Sequence, residues 1–461
     1  MRAQEPESAE SPRPGARAGQ PCPTDGGTPL RILVLGGYGL IGLEVVRQLH
    51  AAGHRVTGLA RSAATGRRLF PQARWAAADI GRLDEARHWR ELLQDTDVVV
   101  NASGVLQSGA RDDPRAVQET AVIALIRACE SAGIARFVQI SAPGARLDSA
   151  TEFMRSKARA DARLKRSSIA WTILRPGLVV GRGAYGGTAL IRMLAGFPLV
   201  QPLLLGERRL RTVALTEVAE AVCRAAAGRL PARTDADLVE PEERAMRQLV
   251  RDFRAWLGVP PPRLTLTLPV WVGFGIARIG DGLGYLGWRP PLRTTAMRIL
   301  DEGLPGDPKP WQALNGGGFS PLERTLAAMP ATVQERWFAR LWLAMPLMVG
   351  TLAAFWLLSG GIALARLEQS MAIFAAGALP HALALPAVVA GAALDLLLGA
   401  AILFRRKARG ACLGMAVVTL CYLAAGTTLR PELWADPLGP LVKTVPAMVL
   451  ALVTALVLEE R

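Results

Sequence analysis

The chain has 461 residues, with 54 Lys and Arg against 39 Asp and Glu (formal net charge +15), five cysteines and four histidines. Such a length exceeds one ordinary core, and cysteines scattered at 22, 129, 223, 412 and 421 without a CxxC pair suggest neither a disulfide framework nor a metal site. The arginines are not interleaved with aromatics, which argues against a nucleic-acid surface and for basic residues facing anionic lipid.

Residues 1–29, rich in Pro, Gly, Ala, Ser and charge, are expected to be a disordered leader without the apolar run of a secretory signal. Leu30 to Gly42, LRILVLGGYGLIG, then predicts a buried strand, a tight turn at Gly36, Gly39 and Gly42, and a helix start. Glycine lets the backbone approach a pyrophosphate closely, and the N–H groups at the helix start receive the anion.

A helix over Leu40–Ala52 leads to a strand at Arg55–Leu59, followed by Arg61 and Ser62 with Arg67 and Arg68 close behind. An acidic residue about 20 positions beyond the glycines would hold a ribose 2′-hydroxyl; a basic one suits a 2′-phosphate, so NADP(H) is favoured over NAD(H). Strands and helices then alternate: strand Arg74–Ala77 ending in Asp79-Ile80, helix Asp84–Leu93, and strand Asp97–Asn101 running into Ser103-Gly104. Next come helix Pro114–Ala132, strand Phe137–Ile140 ending at Ser141, helix Ser149–Ser167, and strand Ala170–Leu174 followed by Arg175-Pro176-Gly177. Six such units predict an α/β, Rossmann-type doubly wound parallel sheet with ligand across the carboxyl ends of its strands.

The glycine turn, Asp79-Ile80, Asn101-Ala-Ser-Gly, Ser141 and RPG, in that order, resemble the short-chain dehydrogenase/reductase superfamily over about Leu30–Leu300. The likeness is greatest to the atypical and extended branch that includes NAD-dependent epimerase/dehydratases and the nucleotide-binding accessory subunit of respiratory complex I. It implies that Gly36, Tyr38, Gly39, Leu40 and Ile41 line the pyrophosphate and Arg61 the ribose phosphate. Asp79 and Ile80 would flank the adenine, Ser103 and Gly104 the nicotinamide ribose, and Pro176 the nicotinamide. Family enzymes place a tyrosine four residues before a lysine, on one helix face, as the general acid or base. This chain reads Phe153-Met-Arg-Ser-Lys157, so the lysine is present and the phenol is gone. Lys157 can still hold the ribose, Ser141 keeps a hydroxyl at the usual third position, and Tyr185 in the loop RGAYGG is the nearest other phenol in sequence.

Residues from about 180 to 300 read as a smaller substrate-side portion within a nucleotide-binding domain of 30–320, with a linker over 321–340. Leu266–Trp288 is apolar but broken by Pro269, six glycines, Arg278 and Asp281. It reads either as an amphipathic segment at a membrane surface or as a packed helix of the small portion. Residues 341–461 hold four candidate spans, at Leu341–Ala365, Leu383–Phe404, Ala411–Leu429 and Leu441–Leu458. The join RRKARG between the second and third places both termini and the nucleotide-binding domain in the cytoplasm of a bacterial-type inner membrane. Asp395 within the second span is expected to pair with a polar group such as Thr419 or Tyr422, or to mark a proton or ligand path. The segment resembles the DoxX-like four-helix membrane family.

Together these features predict a membrane-anchored NADP(H)-binding oxidoreductase acting on an apolar or membrane-resident small molecule. Two alternatives stand beside it: a non-catalytic nucleotide-binding, redox-sensing or assembly protein partnered with a respiratory-chain membrane protein, and a nucleotide-sugar epimerase or dehydratase.

Overall fold

The structure is a computed structural model that describes residues 28–109, 112–304, 306–375, 381–437 and 439–458. The expected leader therefore lies outside the described residues up to position 27. Seven parallel strands form the central sheet: β1 (Arg31–Leu35), β2 (Arg55–Ala60), β3 (Arg74–Ala77), β4 (Val98–Asn101), β5 (Arg136–Ile140), β6 (Ala170–Pro176) and β7 (Thr234–Leu238). Their order is β7-β6-β5-β4-β1-β2-β3. The order reverses between β1 and β4, which opens a crevice at their carboxyl ends.

Alternation along the strands decides which helices cover which face. Ile32 and Val34 of β1 turn to one side, where α1 (Leu40–Ala51) contributes Val45, Val46 and Leu49. Leu33 and Leu35 turn to the other, where α2 (Ala121–Ala132) buries Leu125 and Cys129 and α3 (Glu152–Lys165) buries Leu164. Helix α4 (Leu215–Ala226) completes the first layer through Val218 and Val222.

Three local differences from the sequence reading have physical causes. Strand β7 joins the main sheet at its edge beside β6, whereas the sequence reading put this stretch in the substrate-side portion. Its outward carboxylate Asp235 is held by Arg175 and Lys165. The helix expected over 84–93 is a 3₁₀ turn at Ala86–Trp89 followed by a short helix at Arg90–Leu93. The helix expected over 114–132 opens with a π turn at Ala116–Thr120 before α2 begins.

The segment over Leu266–Trp288 forms α5 (Val270–Tyr285), preceded by an edge strand at Leu264–Thr267. Stretch 321–340, read from sequence as a linker, holds a helix at Leu322–Ala327 and the start of α6 (Val333–Ala365). Ala339 of α6 packs into the small portion's own core, where a side chain on Gly196 would meet its Cβ at 3.1 Å.

The four apolar helices are α6, α7 (His381–Ala401), α8 (Arg405–Leu429) and α9 (Pro440–Val457), each long and apolar enough to cross a bilayer. Asp395 on α7 receives hydrogen bonds from Tyr422 (2.9 Å) and Ser359 (2.9 Å). Thr419 instead donates back to the carbonyl of Met415, one turn earlier, so the partner that sequence did not single out is Ser359.

Candidate cofactor and substrate site

The glycine turn between β1 and α1 is built by close approach. Gly36 has φ +68°, and a Cβ there would stand 2.9 Å from the carbonyl oxygen of Ala102. A Cβ on Gly42 would stand 2.1 Å from the carbonyl oxygen of Gly36, so only hydrogen fits. Gly39 caps α1 without a side-chain hydrogen bond, and the first turn carries no acidic residue. The N–H groups of that turn, which include Leu40 and Ile41, are therefore free of side-chain competition for an anion. Tyr38 lies with its ring centroid 6.4 Å from that of Trp75.

Beyond β2, Arg61 pairs with Asp112 at 2.9 Å, and Asp112 also pairs with Arg289 at 3.2 Å. Ser62 is an N-cap: its hydroxyl oxygen accepts from the backbone N–H of Thr65 at 3.2 Å. Asp79 begins a 3₁₀ turn and faces Arg82 at 3.7 Å, with Ile80 buried behind it. After β4, Asn101 is fully buried, donates to Gln139 (2.9 Å), and accepts from both the backbone N–H and the hydroxyl of Ser103. Ser103 is thereby fixed in place, and Gly104 follows it in the open.

Lys157 is 5% exposed, donates to the carbonyl of Ile140 at 2.9 Å, and lies 5.6 Å from the Phe153 ring centroid. Burial brings its ammonium down from 10.5 to about 8, against the opposing pull of Asp161. Its Nζ stands 4.0 Å from where a Cβ of Gly104 would be, so Gly104 and Lys157 lie side by side. Ser141 stands apart in its use: its hydroxyl donates to the buried Asp161 at 2.6 Å. Tyr185 is 56% exposed, and its loop lies near the start of α1, where Gly183 approaches Leu40. Pro176 is buried at the end of β6.

One residue escaped the sequence reading. Gln118 sits in the π turn, is 2% exposed, and donates to the carbonyl of Val105 and the hydroxyl of Ser156. Its Oε1 has no partner and lies 3.5 Å from the Cβ position of Gly104. A buried acceptor without a donor is costly, and π turns gather at functional sites. A dinucleotide fits these features: a cradle at Gly36 and Gly42, open N–H groups at α1, and an unpaired acceptor beside Lys157. The signal in the sequence would have been a polar residue on the inner face of an otherwise apolar helix.

Beyond Phe153 the wall is apolar. Phe153 packs with Leu106, Ala142, Met154, Ile299 and Leu304, the last two supplied by the small portion.

Residues 36–192 match the NAD(P)H-binding family model, and residues 353–452 match the DoxX-like family. The chain is 36% identical over 146 residues to the NAD(P)H azoreductase of Xenophilus azovorans, covering 32% of this chain and 47% of that protein, so the match spans about half of the relative. Among solved structures, the Bordetella bronchiseptica enzyme WbmH with NAD+ superposes with a TM-score of 0.50 at 18% identity, over 68% of this chain and 100% of that one. The NADPH-dependent quinone oxidoreductase of Escherichia coli, solved with NADPH, gives 0.50 at 18% identity, over 65% and 99%. At this identity the two structures speak for the fold alone, and one carries NAD+ while the other carries NADPH. The chain thus joins a region of the NAD(P)H-binding family, residues 36–192, to a C-terminal DoxX-like region among four apolar helices.

Proposed function

We propose that this protein is a membrane-tethered, NADP(H)-preferring reductase for an apolar, conjugated acceptor of the quinone class. The observation that carries the reading is the pairing of a retained Lys157 with an apolar cluster around Phe153, where the family places a phenol. Bound NADPH would supply a hydride. Lys157 and the side-chain Oε1 of Gln118 would hold its ribose end, Arg61 the 2′-phosphate, and Phe153 would exclude water from the acceptor.

Lack of a phenol selects among acceptors. Reducing a ketone leaves an alkoxide, which needs an acid at hand; a general acid is worth about 100- to 10,000-fold. Reducing a quinone leaves a phenolate, whose conjugate acid has a pKa of about 10, so it can take its proton from solvent. The partial likeness to an azoreductase supports a conjugated acceptor, and the apolar wall disfavours a nucleotide sugar.

Contact between the nucleotide domain and the basic join supports the expected topology, with that domain in the cytoplasm. Trp288 donates to the carbonyl of Leu403 (2.7 Å), and Arg405 donates its backbone N–H to Leu286 (3.0 Å). Domain limits of 30–320 and 341–461 remain our reading, with α6 shared between them.

The test is NADPH oxidation by the full chain in vesicles, with a lipophilic quinone and with a secondary ketone. The quinone should be reduced and the ketone left alone. Oxidation with neither would favour the second reading, a nucleotide-sensing or assembly protein of a respiratory membrane complex, which Phe153 also suits.

A further inference from the structure

Helix α5 is inside out for a protein in water. Gly273, Ala277, Gly280 and Gly284, spaced four, three and four apart, form its buried stripe. That stripe admits close neighbours: a Cβ on Gly280 would stand 2.4 Å from the carbonyl oxygen of Leu292, and one on Gly284 would stand 2.6 Å from the Arg293 guanidinium. The large apolar side chains point the other way. Trp271 is 76% exposed, Ile279 68% and Tyr285 66%, with Ile276 exposed between them. Leu264 and Leu266, on the edge strand that leads into α5, are exposed as well. A contiguous apolar face of this kind marks an interaction surface.

Its position names the partner. Three residues after α5, Trp288 hydrogen-bonds to Leu403, and the guanidinium of Arg405 lies 5.7 Å from the Trp288 ring centroid. The end of α5 is thus fastened to the point where α7 ends and α8 begins, at the level where the apolar helices meet the basic join. Arg406 and Lys407 of that join are exposed, as is Arg278 on α5 itself. An apolar face with arginine and lysine beside it, continuous with the end of a membrane span, is the chemistry of an interfacial helix on anionic lipid.

We infer that α5 is seated in the cytoplasmic leaflet, with lipid covering Trp271, Ile276, Ile279 and Tyr285. The inference rests on the membrane reading of the four apolar helices. It bears on the candidate site because the same region grips the site's rim: Arg293 donates to the carbonyl of Ser108 at 2.8 Å, and Arg289 pairs with Asp112, which also holds Arg61. Seating α5 therefore sets the rim of the dinucleotide crevice at the lipid surface, where a lipid-dissolved acceptor arrives.

The experiment uses the full chain in vesicles of equimolar phosphatidylethanolamine and phosphatidylglycerol, in a background with Cys22→Ser and Cys421→Ser. A nitroxide is attached, one at a time, through Ile279→Cys, Leu397→Cys on the lipid face of α7, and Asp95→Cys on the water-facing end of the sheet. Collision with oxygen, which concentrates in lipid, is compared with collision with a water-soluble nickel chelate. The ratio at 279 should exceed that at 95 several-fold and approach that at 397. A label at 279 as open to nickel as the label at 95, while 397 stays protected, would overturn the seating and leave the membrane reading intact. Nickel access at 397 would overturn both. Exclusion of both reagents at 279, with dipolar broadening between labels, would assign the face to a second copy of the chain and also overturn it.

Discussion

Replacing Lys157 with methionine removes a buried charge and keeps most of the side-chain volume. Burial lowers this ammonium from 10.5 to about 8, a difference of 10.5 − 8 = 2.5 pH units. At about 1.4 kcal/mol per unit, this amounts to about 3 kcal/mol withheld from the folded state at neutral pH. The lost hydrogen bond to Ile140 offsets about 1 kcal/mol of that gain. A net gain of about 2 kcal/mol corresponds to roughly 4–8 °C in unfolding temperature for a domain of this size. The sign follows from linkage: the unfolded chain binds this proton more tightly, so the penalty is complete below about pH 8 and fades as pH rises towards 10.5. Lys157→Met should therefore unfold at a higher temperature than wild type at pH 7, with the gap narrowing between pH 8 and 10.5. NADPH binding should weaken at the same time. Tryptophan fluorescence on the full chain in detergent reads the first effect and ligand titration the second. A variant that unfolds earlier at pH 7, or a gap that does not change with pH, would show that the Lys157 ammonium carries no burial penalty.

Further outcomes follow from the same geometry. Phe153→Tyr restores a phenol beside Lys157 and should raise turnover of an apolar ketone by about 100-fold or more; steady-state rates with unchanged NADPH affinity are the check. Gly42→Ala drives a methyl group into the carbonyl oxygen of Gly36 and should weaken both dinucleotides at least about tenfold (about 1.4 kcal/mol), as read by titration. Asp112→Asn removes the carboxylate that holds Arg61 in the ligand-free chain and should tighten NADPH several-fold while leaving NADH unchanged, as read by competition binding.

Much of the fold was legible because hydrophobic runs such as DVVVN and the glycine turn are strong local signals, and because spans of low charge leave little choice of environment. The edge strand β7 was harder to read, since its five residues carry two carboxylates whose partners, Arg175 and Lys165 for Asp235 and the Asp307 N–H for Asp237, lie far away in sequence. Gln118 was hidden for another reason. The π turn just before α2 is set by packing against its neighbours, not by a residue pattern, so its inward acceptor looked like one more polar helix position. The apolar cluster combines Phe153 with Ile299 and Leu304, brought together from nearly 150 residues away, and only tertiary structure joins them. The orientation of α5 was open to either reading, because hydropathy scores glycine and isoleucine for what they prefer, not for which of them a close-packed neighbour will admit.

Binding of NADP(H) in the crevice at β1 and β4, with Arg61 on the 2′-phosphate, is the proposal on which the others depend. The most direct measurement is a fluorescence titration of the purified chain in detergent with NADPH and with NADH, repeated on Arg61→Ala. NADPH should bind more tightly than NADH, with the preference lost in the variant and NADH affinity unchanged. Failure of the wild-type chain to bind either dinucleotide, or a preference that survives the loss of Arg61, would contradict it.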